Sequence, residues 1–564
     1  MLIAYSIYIL RLVLVFIANI LKKGLRPPEY VTFVLHGPYP DLKQPPEGFL
    51  QKRMSPRVKS LQELTDEFRL TAESPHVKGI ILHLGKPELT LAQIQSLSDL
   101  IRETRAKGKE VITWATGYNI SGYCLAVAGD RILLQEGGIV YTLGLTSRQL
   151  YMKNALEWCG IELDVVQVSP YKSALERFAR SNMSEEVREM YEWLLDSYYG
   201  QFIKAISEGR NLTVENVHEL VEQTPLYGKK ALETGAVDGI VNAEDLPAFL
   251  GSREKPIRLA SWDECKKTFP RPLPPQPGRY IALLRVEGNI VDGKSRRPPA
   301  RPPFPAPFLF NEQTGELSFV QKARLALKDK RARAVLLYID SGGGSAAASE
   351  AITSILGKIA TQKPLVAVMG SIAGSGGYYV ATPASHIVAQ PAALTGSIGV
   401  IAAKLVNSRL LEKLLLNRET IRRGQKELFA SPEKPFTEEE KNKALEFIFH
   451  VYDLFIKRVA ESRAMQPGAV KEIGGGKVWT GEQALSNGLV DELGGLETAL
   501  AKLRQKAGLP KNTPLVEVPL PRRETAPVPA AMGWIEHARG NLDQLQESKA
   551  LLAGPLYFYH PFEK

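Results

Sequence analysis

Val368-Met369-Gly370-Ser371-Ile372-Ala373-Gly374-Ser375-Gly376-Gly377-Tyr378-Tyr379-Val380-Ala381 is the stretch around which this chain is organised. A buried apolar strand, Pro364 to Val368, runs into a series of small residues and then into an apolar helical pattern beginning at Tyr378. Ser375 therefore falls on a strand-to-helix turn. Glycines let the backbone turn sharply and let a second segment approach closely. The helix that follows offers unpaired N–H groups and the positive end of its dipole. A serine in that position can be a nucleophile, although a tight turn that merely needs small residues reads the same way.

A second glycine cluster upstream separates the two readings. Ala334 to Ile339 is a continuous apolar run of parallel-sheet type, ending at Asp340-Ser341-Gly342-Gly343-Gly344-Ser345 before an Ala-rich helix. In a parallel sheet the carboxyl ends of neighbouring strands form a crevice, so N–H groups of one turn can face a nucleophile on the other, as in an oxyanion hole. The two turns are joined by Leu394-Thr395-Gly396-Ser397-Ile398-Gly399 and by Trp479-Thr480-Gly481-Glu482-Gln483-Ala484, followed by Gly488-Leu489-Val490-Asp491. Together these segments resemble the signature of the signal peptide peptidase A (protease IV) family, within the Clp protease and crotonase superfamily. The resemblance covers about residues 30 to 505. It implies an α/β fold of tandem duplicated Clp protease/crotonase-like units, with parallel sheets flanked by helices, plus an N-terminal membrane helix. One departure is that Ser341-Gly342-Gly343-Gly344 stands where the family usually has Ser-Pro-Gly-Gly, which loosens the turn without removing its N–H donors.

With 564 residues, 44% of them hydrophobic and 23% charged, the chain can bury several large cores and is not of the disordered class. A net charge of +10, spread along the length, suits an anionic membrane surface. No block of basic and aromatic residues resembles a nucleic-acid module, so no nucleic-acid partner is expected. Cys124, Cys159 and Cys265 are odd in number and scattered, and the histidines form no His-x-x-x-His pair. Neither a disulfide framework, a metal site nor a cofactor is expected.

Leu2 to Leu21 is an apolar stretch of membrane-spanning length, interrupted by Arg11 and followed by Lys22, Lys23 and Arg26. Arg11 costs about 2.5 to 3.5 kcal/mol on insertion scales, which the many Leu, Ile and Val offset. A single-pass anchor is expected, with a surface-lying amphipathic helix as the alternative. A cleaved signal peptide would carry its basic end before the apolar core. Positive-inside reasoning puts the basic cluster, and the body behind it, in the cytoplasm. The resemblance implies the opposite, an extracytoplasmic catalytic body.

The chain repeats itself. Tyr30 to Leu35 corresponds to Tyr280 to Arg285, Lys78 to Leu82 corresponds to Arg333 to Leu337, and Tyr227 to Asp238 corresponds to Thr480 to Asp491. The last two correspondences hold an offset of about 253 to 255 residues. The organisation expected is an anchor and basic flank over 1–29, a first α/β unit over 30–270, a Pro-rich linker over 271–279, a second α/β unit over 280–508 and a tail over 509–564. Arg296 to Pro307 is a second Pro-rich segment, and the tail carries a helical pattern from Met532 to Leu551.

A nucleophilic serine needs a base, either a histidine or a lysine with a depressed pKa. His386 lies beyond Ser375 by about three helical turns, ~16 Å, and no Asp is apparent to orient it. Asp164 to Val168 reads as a strand leading into Ser169-Pro170-Tyr171-Lys172-Ser173-Ala174, similar to the family's Tyr-Lys-Ser-Ala motif. The lysine of that motif is the general base of the long form, so the resemblance implies that Lys172 is the base. Ser397 matches the serine thought to orient that lysine, and it also fits a helix cap or turn. Backbone N–H groups of Gly343 and Gly376 are the expected oxyanion donors.

Setting Gly144 against Gly399 puts Lys172 on Glu427, with Lys426 adjacent. Setting Tyr123 against Tyr378 puts Ile120 opposite Ser375, with Ser121 adjacent. Each unit then keeps one half of a Ser-Lys dyad, and the two must face each other, while a one-residue gap would bring Ser121 or Lys426 into play. The resemblance and the anchor together imply a serine endopeptidase acting on remnant signal peptides and other extended hydrophobic peptides, assembled as a bowl-shaped homotetramer. The alternatives on the same fold are a non-catalytic membrane scaffold or peptide-binding protein and a crotonase-type acyl-CoA enzyme.

Overall fold

The computed structural model describes residues 2–22, 24–44, 58–141, 143–274, 278–296, 312–421, 423 and 431–519. The first unit contributes strands β1 (Tyr30–Pro38), β2 (Gly79–Glu88), β3 (Glu110–Tyr118), β4 (Arg131–Val140), β5 (Glu162–Gln167), β6 (Leu226–Tyr227), β7 (Gly239–Ile240) and β8 (Leu259–Ser261). All but β5 form one sheet in the order β6-β4-β3-β2-β1-β8, with β7 on β4. The second unit contributes β9 (Tyr280–Val291), β10 (Gln313–Gly315), β11 (Ala332–Gly344), β12 (Leu365–Gly374), β13 (Ile387–Ala389), β14 (Leu394–Gly396), β15 (Ile401–Val406), β16 (Val478–Thr480), β17 (Glu492–Leu493) and β18 (Leu515–Glu517). Their sheet runs β10-β9-β11-β12-β13-β17, with β14 on β12, β16 on β14 and β18 on β9. The central pairs are parallel. Helices cover both faces of each sheet, so runs such as Gly79 to Leu82 and Ala334 to Ile339 are buried throughout and show no alternation.

The duplication is visible in matching bonds. Tyr123 and Tyr378 each donate at 2.8 Å to a backbone carbonyl, of Ala236 and Leu489 respectively. Arg210 pairs with Asp238 and Arg463 with Asp491, and the two aspartates accept the N–H of Ile132 and Ile387. Each unit also closes on its first strand, β8 on β1 and β18 on β9.

Three features differ from the expected outline. The second unit's sheet continues past residue 508 into β18, a strand too short to show a period, and Val518 behind it is buried. Both strands that lead to the glycine turns are longer than their apolar runs. β11 extends to Gly344 because β9 pairs with Gly343 and Gly344, and β12 extends to Gly374 because β14 pairs with Ile372, Ala373 and Gly374. The helical pattern of Met532 to Leu551, and Lys426 and Glu427, lie outside the described residues.

The units meet along a polar and aromatic seam. The first unit's helix Glu185–Arg210 lays Trp193 on Trp479, ring centroids 4.9 Å apart and 15° from parallel, and Trp193 Nε1 donates to Val478 O at 2.9 Å. Gln95 accepts from the N–H of Ala392, and Gln201 donates to Pro391 O. β5 leaves its own unit and pairs antiparallel with β15, from Ile401 opposite Gln167 to Val406 opposite Glu162. That ribbon carries the chain of the first unit into the second.

The N-terminal helix Leu2–Lys22 stands off the body, with mean hydropathy 1.7 over Tyr5–Lys22 and none of that window buried. Its C-terminal end is tied down where Asn19 exchanges bonds with the backbone of Arg271 and Lys22 Nζ donates to Phe269 O.

Trp193→Ala removes the stacked ring and its hydrogen bond from the seam. It is expected to destabilise the protein by about 2 to 4 kcal/mol, toward the low end for a large aromatic because Trp193 is half-buried. Denaturant unfolding with wild type alongside measures it, and an unchanged midpoint would show that the seam does not depend on this contact.

Candidate active site

Ser375 sits between β12 and the helix Gly376–Ala381 with φ 55° and ψ −117°, a conformation that a side chain rarely adopts. The surroundings over-determine it: its N–H donates to Gly396 O at 2.8 Å and its carbonyl accepts from Tyr379 N at 2.9 Å. The glycines after it are required by contact. A Cβ on Gly377 would strike the Ser341 carbonyl, and one on Gly376 would lie 2.7 Å from Ser349 Oγ and 3.3 Å from Gly343 Cα. The two glycine turns therefore touch, and the first-turn N–H groups of the helix follow directly on Ser375.

Lys172 enters from the first unit on the segment that follows β5. Its Nζ lies 2.8 Å from Ser375 Oγ, 2.8 Å from Ser397 O and 2.9 Å from Ser397 Oγ. All three side chains are buried. Burial holds the Lys172 amine well below the usual lysine range, with no carboxylate among the described residues to counter it. Lys404, the other buried lysine among the described residues, has Glu440 at 3.6 Å and the Phe436 ring 4.2 Å beneath it. A neutral amine has two N–H donors and one lone pair. The Ser397 carbonyl can only accept, and the Ser397 hydroxyl takes the second donor, so the lone pair is left for the Ser375 hydroxyl.

The backbone of Lys172 is gripped by a loop that the sequence reading did not single out, Gly474 to Lys477. A Cβ on Gly476 would lie 2.5 Å from Lys172 Cα, and one on Gly399 would lie 3.2 Å from Lys172 Cδ. Gly476 N–H donates to Ile398 O at 2.8 Å, and the Lys477 carbonyl accepts from Ser397 N–H at 2.7 Å. Ser169 Oγ donates to Gly475 O, 306 residues away in the chain, at 2.5 Å. The Gly474-Gly475-Gly476 run was visible in the sequence, but the segment it receives was not.

Among the expected oxyanion donors, Gly376 presents a first-turn N–H, whereas Gly343 N–H donates to Ser341 Oγ at 3.1 Å, a bond an oxyanion would have to displace. His386 is not near the serine. It bonds Glu492 at 2.8 Å, and its carbonyl accepts from Ala367 near the opposite end of β12. Ser121 lies in the helix Ile120–Ala126 of the first unit, where the cap position is held by Asn119, bonded to Gly122 N at 2.8 Å. Lys172 Nζ makes its hydrogen bonds to Ser375 and Ser397 and not to Ser121.

A family model described as "Peptidase family S49" matches this chain twice, over residues 103–253 and 358–510. The chain belongs to peptidase family S49. The first match contains Lys172 and the second Ser375, so the tandem S49 units of this serine peptidase each bring one member of the contact. Among similar proteins, the chloroplastic serine protease SPPA of Arabidopsis thaliana is 32% identical over 474 residues, 83% of this chain and 68% of that protein. Protease 4 of Haemophilus influenzae is 30% identical over 473 residues, 80% of this chain and 73% of that protein.

Gly476→Ala is expected to push Lys172 off the serine and lower peptidase kcat at least tenfold, on the order of 1.4 kcal/mol or more. Gly468→Ala, at a site with nothing within 4 Å of the new methyl, is the control and should match wild type. Equal rates for the two variants would show that the loop does not hold the lysine.

Proposed function

We propose that this protein is a membrane-anchored serine endopeptidase in which Ser375 is the nucleophile and Lys172 the general base. Its substrates in this reading are remnant signal peptides and other extended hydrophobic peptides, and it works as a homotetramer. The reading of the dyad rests on one observation, the 2.8 Å approach of a buried, uncountered amine to a buried hydroxyl on a strained turn. Ser375 Oγ attacks the peptide carbonyl while the Lys172 lone pair takes its proton. The ammonium then passes that proton to the leaving amine, an acyl-enzyme remains, and water activated by the same amine releases the acid. Gly376 N–H and, once Ser341 Oγ yields it, Gly343 N–H stabilise the oxyanion, each donor contributing about 2.7 to 4 kcal/mol. Ser397 holds the lysine rotamer without exchanging a proton.

Anchoring is supported by the exposed apolar helix Leu2–Lys22, long enough to cross a bilayer. The family's extracytoplasmic placement is the side proposed for the body, against the positive-inside tendency of Lys22, Lys23 and Arg26.

Ser375→Ala and Lys172→Met should each abolish peptide hydrolysis, and a fluorophosphonate probe should label wild type at Ser375 and not the serine variant. Protonated lysine cannot accept a proton, so wild-type kcat/KM should climb as pH rises through the depressed Lys172 pKa and level off well below the ~10.4 of a free lysine. Hydrolysis by Lys172→Met at any pH would remove Lys172 as base, and absence of probe labelling in folded protein would favour a binding scaffold.

For topology, a reporter active only outside the cytoplasm should work when fused after Lys564 and fail before Met1. The reverse pattern would place the body in the cytoplasm.

A further inference from the structure

The apolar N-terminal helix is fixed to the body and not merely tethered to it. Asn19 Nδ2 donates to Arg271 O at 3.0 Å, Arg271 N–H donates back to Asn19 Oδ1 at 2.7 Å, and Lys22 Nζ donates to Phe269 O at 2.7 Å. Phe269 is itself buried in the first unit's core, its ring centroid 5.2 Å from that of Trp262. At ~1.5 Å per residue the helix Leu2–Lys22 is about as long as the hydrocarbon core of a bilayer is thick. A helix that spans therefore puts Asn19 near one face of the bilayer, and the bonds between Asn19 and Arg271 bring Arg271 to headgroup depth with it. Leu273, just beyond, is 64% exposed.

The same end of the body is basic. The Arg258 guanidinium donates to Arg26 O at 3.0 Å, just past the helix, and Lys78 Nζ lies 2.5 Å from Glu29 Oε1. Lys78, the Arg258 N–H and Lys255 hold the Glu29 carboxyl below the usual carboxylate range. Arg26, Lys255, Arg258 and Arg271 are exposed, so basic side chains gather around Glu29 at the foot of the helix. Arg258 is 232 residues from Arg26 in the chain and Arg271 is 252 from Asn19, so folding, and not the flank of the helix alone, assembles this patch. Strands β1, β2 and β8 start here: Tyr30 is in register with Gly79 and with Leu259, and all three run in parallel away from the helix foot.

We propose that the amino end of the first unit's sheet is a docking surface for anionic phospholipid headgroups, with Arg26, Arg258 and Arg271 on the phosphates and Leu273 at the boundary with the acyl chains. A basic residue at an anionic bilayer surface favours it by about fivefold in partitioning, and long arginine stems suit the depth that the helix imposes. Three points in different parts of the chain, the helix foot, Arg258 and the 269–273 segment, then rest on one plane. The body is held upright by them, and the carboxyl ends of the first sheet are turned away from the lipid. This inference rests on the anchor reading above and names the lipid class and the face of the body that meets it.

The test uses full-length protein with Cys159→Ser as background, which removes the exposed native thiol. It is reconstituted in vesicles of phosphatidylcholine alone or mixed with phosphatidylglycerol. A polarity-sensitive dye is attached to Leu273→Cys or, as control, to Thr116→Cys, an exposed site near the carboxyl end of β3. Quenching by lipid carrying a headgroup nitroxide should be about threefold or more stronger at Leu273→Cys in the anionic vesicles than in the neutral ones, and weak at Thr116→Cys in both. Arg258→Glu combined with Arg271→Glu, which leaves the backbone bonds to Asn19 in place, should lower the anionic signal to the neutral level while the protein still floats with the vesicles. Arg258→Gln with Arg271→Gln replaces that pair if circular dichroism shows it misfolded, and should lower the signal in the same direction. Wild type that fails to float with either vesicle overturns the anchor and this surface together. Flotation with equal quenching at Leu273→Cys in the two vesicles, with equal quenching at the two dye sites, or with no response to the charge variants overturns the anionic docking surface and leaves the anchor in place.

Discussion

The Lys172 amine has been taken out of water with no opposite charge beside it among the described residues, and the surrounding structure is arranged to tolerate that. Charging such a group in an apolar interior costs several kcal/mol, which favours the neutral form, and its hydrogen bonds go two to Ser397 and one to Ser375. Water has to be kept away for this to persist. The seam between the units does so, with the Trp193–Trp479 stack, the β5–β15 ribbon and the Gly474 to Lys477 loop closing around the segment that delivers the lysine.

The contact draws on both units, although each has the fold by itself. At β5 the first unit's chain leaves its own sheet and carries Lys172 to its neighbour before returning in β6, β7 and β8. The second unit supplies a strained serine turn, and the first unit keeps Asn119 at the matching helix cap. The halves have diverged in chemistry while keeping the framework bonds, Tyr123 and Tyr378 to carbonyls and Arg210–Asp238 and Arg463–Asp491 as ion pairs. An isolated second unit would hold its serine without Lys172, which comes from the first. The positive φ of Ser375 is strain of the kind that a fold keeps only where neighbouring bonds enforce it.

Local pattern made much of this readable before any coordinates. Continuous apolar runs ending in glycine announce buried parallel strands, and repeated motifs at a constant spacing announce a duplication, because both depend on residues close together in the chain. Ser375, the helix Leu2–Lys22 and the two-unit α/β architecture follow from such patterns. Strand lengths did not, since whether a glycine extends a strand depends on the neighbour that pairs with it. Short edge strands such as β18 leave no period to detect.

Taken by itself, the amino-acid sequence determined the fold class, the duplication, the serine turn and, through a motif resemblance, which lysine to examine. The tertiary structure alone decided that Lys172 and Ser375 meet, that Gly476 presses on the lysine backbone, that Gly343 N–H is already engaged by Ser341, and that His386 faces Glu492 away from the serine. The physical reason is separation along the chain. Lys172 and Ser375 are 203 residues apart, and Ser169 and Gly475 are 306 apart. Their proximity is set by how two sheets pack across a seam, and no local preference of either segment encodes it.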